Sequence, residues 1–170
     1  MERIVITGPE SSGKTTLAQD LASALECEWV REYARPYLEG TGGAYAEKDL
    51  RAIAEGQLRL EEERARVRAA AHLVCDTDLI TIRIWSEVKY GRCDPWIMRM
   101  TEERPYALWL LCSPDMPWEP DPLRENPDDR DQLFERYERT LRMLGKPHAV
   151  MTGGEQQRVQ QALAAIKRVA

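Results

Sequence analysis

The stretch Ile4–Leu17, which reads IVITGPESSGKTTL, contains the G-x-x-x-x-G-K-T spacing of a phosphate-binding P-loop. The motif residues are Gly8, Gly13, Lys14 and Thr15. A short β-branched run precedes the loop and leucines at helical spacing follow it, so a buried strand, the loop and a helix are predicted in that order. This context favours a P-loop over the alternative interpretation, a chance glycine-rich turn.

The predicted loop has the chemistry of an anion-binding hollow. Its backbone N–H groups can converge on phosphate oxygens, and the next helix adds the positive end of its dipole. Gly8 and Gly13 lack a Cβ atom, so the backbone can curl and approach the phosphates. Lys14 is expected to reach the β- and γ-phosphates, and the Thr15 hydroxyl to ligate Mg²⁺. The residues predicted to bind the nucleotide are Gly8, Glu10, Ser11, Ser12, Gly13, Lys14, Thr15 and Thr16.

Length and composition predict one globular domain, 1–170. The chain has 170 residues, 43% of them hydrophobic, and a formal net charge of −5. No apolar run approaches transmembrane length, and the first strand begins too early to leave room for a signal peptide, so no membrane association is expected. The negative charge argues against broad nucleic-acid binding. Four cysteines without C-x-x-C spacing favour free thiols and a cytoplasmic location.

Strand and helix signals alternate along the chain. After the first strand, apolar or β-branched runs predict strands at about 27–30, 72–75, 107–112 and 148–152, each with a helical pattern behind it. A helix is expected over about 46–71, whereas Pro36 disfavours helix at Arg35. This order predicts a three-layer α/β fold with a five-stranded parallel sheet.

Two acidic residues follow predicted strands at the edge where such sheets bind ligands. Right-handed crossovers bring the carboxyl ends of parallel strands together, so Gly8, Glu32 and Asp76 should share one cleft. Asp76 is expected in the Mg²⁺ shell, with a helix N-cap as the alternative. Glu32 is expected to take the proton of an acceptor hydroxyl, with a surface ion pair as its alternative. Asp78 competes with Glu32 for this role.

A long loop between the fourth strand and the next helix predicts a lid. The segment 113–131 holds five prolines and seven acidic residues without periodicity, and we expect the lid over about 115–131. Arg124 and Arg130 would bring positive charge over the γ-phosphate when the lid closes, unless they only pair with neighbouring acids. Arg35 is a candidate ligand for the acceptor or a phosphate. Tyr33 and Trp85 are candidates for stacking on an acceptor base, with core packing as the alternative.

Several separate segments resemble the ribosylnicotinamide kinase domain of the bifunctional NadR proteins. They are GPESSGKTTLA, REYAR, DTDLITIRIW with the KYG behind it, and WEPDPLR with a later arginine. The resemblance spans nearly the whole chain and implies a nucleoside-kinase-like P-loop fold. It also implies ATP with Mg²⁺ as donor and the ribose 5′-hydroxyl of nicotinamide riboside as acceptor. Arg31 stands where those kinases tend to have a tryptophan, and their adenylyltransferase and DNA-binding parts have no counterpart in this sequence.

The sequence therefore predicts an ATP-dependent small-molecule kinase, a phosphotransferase with an alcohol acceptor. Two alternatives stay open: a nucleotide-dependent ATPase or switch acting on a protein partner, and a non-catalytic nucleotide sensor. The identity of the acceptor and the oligomeric state are not predicted. The expected residues are Lys14, Glu32, Asp76, Arg124 and Arg130 in catalysis, Thr15 and Asp76 at the metal, and Glu32, Tyr33, Arg35, Asp78 and Trp85 at the acceptor.

Overall fold

A computed structural model describes residues 1–67, 70–125 and 127–169. Strands and helices alternate along this part of the chain, with two further helices that the alternation did not predict. In chain order the elements are β1 (Glu2–Thr7), α1 (Lys14–Ala24), β2 (Glu28–Val30), α2 (Ala34–Gly40), α3 (Glu47–Ala65), β3 (His72–Asp76), α4 (Leu79–Tyr90), α5 (Pro95–Glu103), β4 (Leu108–Cys112), α6 (Arg130–Met143), β5 (His148–Met151) and α7 (Glu155–Val169).

The five strands form one parallel sheet in the order β2-β3-β1-β4-β5. The predicted five-stranded parallel sheet is thus confirmed, and each strand lies within a residue or two of its predicted position. All five residues of β4 are buried, as a strand covered on both faces requires. Because all strands run the same way, the loops that follow β1, β2, β3 and β4 meet at one edge of the sheet.

Helices cover both faces of the sheet, which confirms the three-layer arrangement. On one face, α1 and α7 pack through Leu21 and Ile166 against Ile4 and Ile6 of β1. On the other face, Val5 of β1 lies in a second apolar cluster with residues of α4 and α6. Alternate residues of β1 therefore enter different cores, because successive side chains of a strand point to opposite faces.

The segment after β2 differs from the prediction. Pro36 was expected to keep Arg35 out of a helix, yet α2 spans Ala34–Gly40 and includes both residues. Pro36 is the third residue of this helix, where the missing N–H would have had no partner within the helix in any case. The prediction was wrong because a proline in the first turn of a helix removes no hydrogen bond.

One further helix was not predicted, and the end of another was placed too late. Helix α5 was not expected, although Asp94 accepts a hydrogen bond from Trp96 N at 2.7 Å and Pro95 occupies the first helical position, both common signals of a helix start. Helix α3 ends at Ala65 rather than near residue 71. Residues 68 and 69 of the predicted helix lie outside the described part of the chain.

Two of the described cysteines lie in the core. Cys75 and Cys112 are buried free thiols inside β3 and β4, as the apolar runs around them predicted. None of the helices in residues 1–67, 70–125 and 127–169 combines the length and the apolar character needed to cross a membrane.

A buried carboxylate at the other edge of the sheet gives a prediction about stability. Glu61 on α3 is fully buried, accepts a hydrogen bond from Arg104 Nη2 at 3.0 Å and lies 2.9 Å from the Tyr106 hydroxyl. Burial raises its pKa to about 7, against the opposing effect of Arg104. Since the folded protein then binds the proton more tightly than the unfolded chain, this group's stabilising contribution is lost as the pH rises from about 4.5 to 7.

We expect Glu61→Gln to remove this pH dependence. Between pH 5 and 7, the free energy of unfolding should fall in the wild type relative to the variant by at most about 1.4 kcal/mol per pH unit. Urea denaturation at pH 5, 6, 7 and 8 measures the difference. Glu62→Gln is the matched control, because Glu62 also binds Arg104 but its pKa is lowered, so its contribution is lost as the pH falls. Identical slopes for the wild type and Glu61→Gln would contradict the assignment.

Candidate active site

The loop between β1 and α1 has the backbone shape that the P-loop motif predicts. Gly8 has φ 138° and Gly13 has φ 78°, both in the left-handed region. A Cβ atom on Gly8 would lie 2.7 Å from the Cys112 carbonyl oxygen, and one on Gly13 would lie 2.7 Å from Met116 Sδ. At Gly8 the obstacle is backbone, which leaves no room for a side chain, and at Gly13 the positive φ favours glycine. The loop therefore lies tightly against the end of β4 and the start of the lid.

The N-terminus of α1 is open toward an anion. Gly13 is the N-cap residue, and no described side chain caps the helix, so the first-turn N–H groups keep their capacity for a ligand. Lys14 Nζ donates to the Pro9 carbonyl at 2.7 Å, and the Ser12 hydroxyl donates to the same oxygen at 2.7 Å. These bonds hold the loop in its curled form and place the Lys14 ammonium at the mouth of the hollow.

Thr15 and Asp76, the two residues predicted to hold a metal ion, are in contact. The Thr15 hydroxyl donates to Asp76 Oδ2 at 2.6 Å, although the two residues are 61 positions apart. Asp76 is 2% exposed, and its Oδ1 atom is buried without a hydrogen-bond partner among the described residues. Burial raises the pKa of this carboxyl, while the Thr15 bond and Lys14 lower it. A hydroxyl beside a carboxylate oxygen that still has acceptor capacity fits Mg²⁺, which binds through few protein oxygens.

Glu32 lies just beyond the end of β2 and lines the same cavity as Lys14. Burial raises the pKa of its carboxyl, the Lys14 ammonium opposes the rise, and Asp76 adds to it. Both acids therefore lie within electrostatic reach of Lys14, at the edge of the sheet where β1, β2 and β3 end. A raised pKa gives the Glu32 carboxylate a greater affinity for a proton, which is the property a general base needs.

A cavity of about 870 Å³ joins these residues to the lid and to an aromatic end. This volume lies in the range of sites that bind small molecules. All eight residues predicted to bind the nucleotide border it, as do Glu32, Arg35 and Trp85 of the predicted acceptor residues and Arg124 of the predicted catalytic ones. The other lining residues include Leu38, Tyr45, Thr81, Lys89, Met116, Leu123, Leu133 and Tyr137.

Trp85 forms the aromatic end together with a residue that the sequence did not reveal. Its Nε1 donates to the Tyr45 hydroxyl at 2.8 Å, and the two rings are edge to face with centroids 4.8 Å apart. Lys89 Nζ also lies against the Tyr45 ring, 3.8 Å from its centroid. Tyr45 lies in a glycine-rich connection between α2 and α3 without periodicity, so only its aromatic character could have suggested a role.

Two predicted acceptor residues do not reach the cavity lining. Tyr33 packs on α3, where a Cβ atom on Gly56 would lie 2.0 Å from its ring, and its N–H donates to Gln57 Oε1 at 2.8 Å. Asp78 is 1% exposed and caps α4. Its Oδ2 accepts a hydrogen bond from Trp109 Nε1 at 2.9 Å, so this carboxylate is already engaged inside the core.

The described part of the segment 115–131, which the sequence predicted to be a lid, lies directly on the P-loop. Glu119 N–H donates to the Ser11 hydroxyl at 2.9 Å, and Glu125 N–H donates to Glu10 Oε2 at 3.1 Å. Arg35, a predicted ligand of the acceptor or a phosphate, forms an ion pair with Asp121 of the lid at 3.1 Å. The lid thus bridges the nucleotide side and the acceptor side of the cavity.

The two lid arginines contact backbone and hydroxyl oxygens. Arg124 Nη1 lies 3.4 Å from the Ser11 hydroxyl and also donates to the Glu119 carbonyl. Arg130 is the first residue of α6 rather than part of the loop, and its Nη1 donates to the Ser11 carbonyl at 3.1 Å and to the Met116 carbonyl at 2.9 Å. Arg124 borders the cavity, whereas Arg130 supports the loop that borders it.

Comparison with known proteins agrees with this site. The profile of a family described as an AAA domain matches residues 3–158. The trifunctional NAD biosynthesis/regulator proteins NadR of Escherichia coli K12 and Salmonella typhimurium LT2 are each 30% identical over 125 residues, which is 71% of this chain. This confirms the resemblance to NadR proteins. The matched segment spans only 30% of the length of either relative.

Solved structures share the fold. A crystal structure of NadR protein in complex with NR superposes with a TM-score of 0.82 at 21% identity and covers 99% of this chain and 49% of that chain. A deoxyadenosine kinase from M. mycoides superposes with a TM-score of 0.71 at 13% identity and covers 98% of this chain and all of that chain. The fold predicted from the P-loop and the strand order is therefore that of P-loop kinases.

Proposed function

We propose that this chain, which belongs to the AAA-domain family, is an ATP-dependent kinase that phosphorylates the ribose 5′-hydroxyl of nicotinamide riboside or a related nucleoside. One observation carries the proposal: Glu32 and Asp76, from two different strand ends, both lie within electrostatic reach of Lys14. Glu32 and Lys14 border one cavity, and Asp76 lies just behind its lining, where it binds Thr15. The NadR relatives, named for NAD biosynthesis, support the acceptor class. The chain, 1–170, would act as one cytoplasmic domain on small molecules and not on nucleic acid.

The donor phosphates are proposed to bind in the hollow formed by residues 8–16. The open N-terminus of α1 and the loop N–H groups supply donors and the positive end of a dipole. The Lys14 ammonium has three donors, and its bond to the Pro9 carbonyl leaves two for phosphate oxygens. Lys14 would thereby offset the negative charge of the transferring phosphoryl group.

Thr15 and Asp76 are the residues that would hold Mg²⁺. The buried Asp76 Oδ1 atom, which has no hydrogen-bond partner among the described residues, is the oxygen best suited to act on the ion or on its bound water. When bound, Mg²⁺ would neutralise charge on the phosphates of the donor.

Glu32 is proposed to take the proton from the acceptor hydroxyl. It borders the same cavity as Lys14 and Trp85, so we propose that a nucleoside whose base lies near Trp85 presents its ribose toward Glu32. Its raised pKa favours proton acceptance. Arg124 and the rest of the lid would exclude water and so favour transfer to the acceptor over hydrolysis.

The acceptor end suits a planar base that carries positive charge, such as a pyridinium ring. Tyr45, Trp85 and Tyr137 supply aromatic surface. The two cations at this end are each paired with a lid carboxylate, Arg35 with Asp121 and Lys89 with Glu125 at 3.3 Å. These pairs reduce the repulsion that a cationic base would otherwise meet.

A coupled assay of ADP release tests the proposal. The wild type is incubated with ATP, Mg²⁺ and one acceptor at a time: nicotinamide riboside, adenosine, cytidine, uridine or deoxyadenosine. We expect nicotinamide riboside to give the highest kcat/KM and to raise ADP release at least about a hundredfold over the rate without acceptor. ADP release that no acceptor accelerates would instead identify an ATPase or switch, and binding of ATP without any ADP release would identify a sensor.

A further inference from the structure

We propose that Arg158 is a positioning residue of the nucleotide site. It binds the P-loop on its buried side and thereby orients the loop N–H groups toward the phosphates. Arg158 lies on α7, is 1% exposed and does not border the cavity. This role rests on the proposed function in one respect only, namely that a polyphosphate such as that of ATP binds at the P-loop. Nothing in the sequence pattern of α7 indicated this role.

The guanidinium of Arg158 binds oxygens from three separate loops. Its Nη1 donates to the Ser12 carbonyl of the P-loop at 2.5 Å. Its Nε donates to the Gly153 carbonyl at 2.8 Å, and its Nη2 donates to the Ser113 carbonyl at 2.9 Å and to Asp115 Oδ1. One buried cation thus ties the P-loop to the start of the lid and to the loop between β5 and α7.

The bond to Ser12 acts on the phosphate side through the peptide unit. The Ser12 carbonyl and the Gly13 N–H belong to one planar trans peptide, so they point in opposite directions. A carbonyl held on the buried side by Arg158 therefore leaves the Gly13 N–H directed toward the cavity that Gly13 lines. A charged donor on the carbonyl also polarises the peptide and strengthens its N–H as a donor.

The neighbouring peptide unit is held in the same way. Arg130 donates to the Ser11 carbonyl, which shares its peptide with the Ser12 N–H. Two arginines from different helices therefore fix two successive carbonyls of the loop. Ser11 has φ 53°, a conformation that non-glycine residues rarely adopt, so the loop needs outside support to keep this shape.

Asp115 completes the arrangement and argues against a role for Arg158 in core packing alone. Asp115 Oδ2 accepts a hydrogen bond from Gly153 N–H at 2.7 Å, while its Oδ1 binds Arg158. Every guanidinium nitrogen of Arg158 has a partner, as a buried charge requires. The apolar face of α7 already packs through Ala162 and Ile166, so the arginine adds polar contacts that reach the P-loop.

Calorimetric titration of ATP into matched variants tests the role. We expect Arg158→Met to raise the Kd for ATP about 10- to 100-fold, the range for losing a charged hydrogen bond. Arg158→Lys, which keeps the charge but reaches fewer oxygens, should fold and raise the Kd about 3- to 10-fold. Inorganic tripolyphosphate is titrated in parallel and should lose affinity by similar factors. The Kd for nicotinamide riboside should change less than about twofold.

Arg104→Met is the control for a general loss of stability. Arg104 is also a largely buried arginine paired with carboxylates, but it precedes β4 at the opposite edge of the sheet. It should lower the thermal midpoint without changing the Kd for ATP. An unchanged Kd in Arg158→Met, or in Arg158→Lys if the methionine variant does not fold, would overturn the inference. Failure of nicotinamide riboside to bind would count against the proposed acceptor, while the tripolyphosphate titrations would still decide the role of Arg158.

Discussion

Lys14→Ala is expected to lower kcat for acceptor phosphorylation about a thousandfold, the scale for removing a donor aimed at charge that develops in the transition state. The ammonium sits at the mouth of the phosphate hollow, bound to the Pro9 carbonyl at 2.7 Å, and no other described lysine borders the P-loop side of the cavity. ATP should still bind, more weakly, because the backbone N–H groups and the N-terminus of α1 remain. Single-turnover kinetics and calorimetric titration of ATP measure the two effects separately.

Lys48→Ala is the matched control for this variant. Lys48 is an exposed residue of α3, outside the cavity lining, so its removal should leave kcat within about twofold of the wild type. A Lys14→Ala protein that keeps more than a tenth of the wild-type kcat would contradict the phosphoryl-transfer role. If that protein also bound ATP with full affinity, the nucleotide would have to lie elsewhere.

Glu32→Gln is expected to lower kcat between about 10²- and 10⁴-fold, as for loss of a general base. The wild-type rate should fall as the solution becomes acidic, because Glu32 must be deprotonated to accept the hydroxyl proton. Burial raises the pKa of this carboxyl, so the fall should begin at a higher pH than for an ordinary glutamate. The glutamine variant should lose this acidic limb of the profile, which a merely structural change would leave in place.

Two further variants show whether Glu32 is the base. Glu39→Gln changes a carboxylate that is mostly exposed and lies 3.9 Å from Arg35, and it should leave kcat nearly unchanged. Asp78→Asn changes the carboxylate that competed with Glu32 in the sequence. Because Asp78 is bound to Trp109 and caps α4, we expect this variant to lower stability while the acidic limb stays. An acidic limb that survives in Glu32→Gln but disappears in Asp78→Asn would reverse the assignment.

The order of the elements could be predicted because its signals are local. The strand runs and the alternation of strands and helices appear within windows of a few residues, and the crossover rule then places the strand ends on one edge. Helix α2 was missed because the proline rule depends on position within a helix, which a single residue does not reveal. Helix α5 carried a readable Asp94-Pro95 start but lay where the strand–helix alternation predicted no further element.

The donor side of the site was more predictable than the acceptor side. Lys14, Thr15 and Asp76 have positions set by a motif or by the end of a strand, and Asp76 lies close to Thr15 as expected. Tyr33 follows a strand end just as Glu32 does, yet its ring packs on Gly56. Which of these neighbouring side chains reaches the cavity depends on helix α3, which begins some fifteen residues later in the chain.

By itself the sequence determined the P-loop motif, the parallel α/β sheet and the edge of the sheet at which the candidate site lies. These depend on glycines, on hydrophobic spacing and on strand direction, all of which act within short stretches of chain. Only the tertiary structure decided that Tyr45 contacts Trp85 in the cavity, that Asp78 accepts a hydrogen bond from Trp109, and that Arg158 on α7 binds the P-loop. Such contacts join residues separated by 31 to 146 positions, and the burial and charge that define each side chain's role arise only when those distant segments pack together.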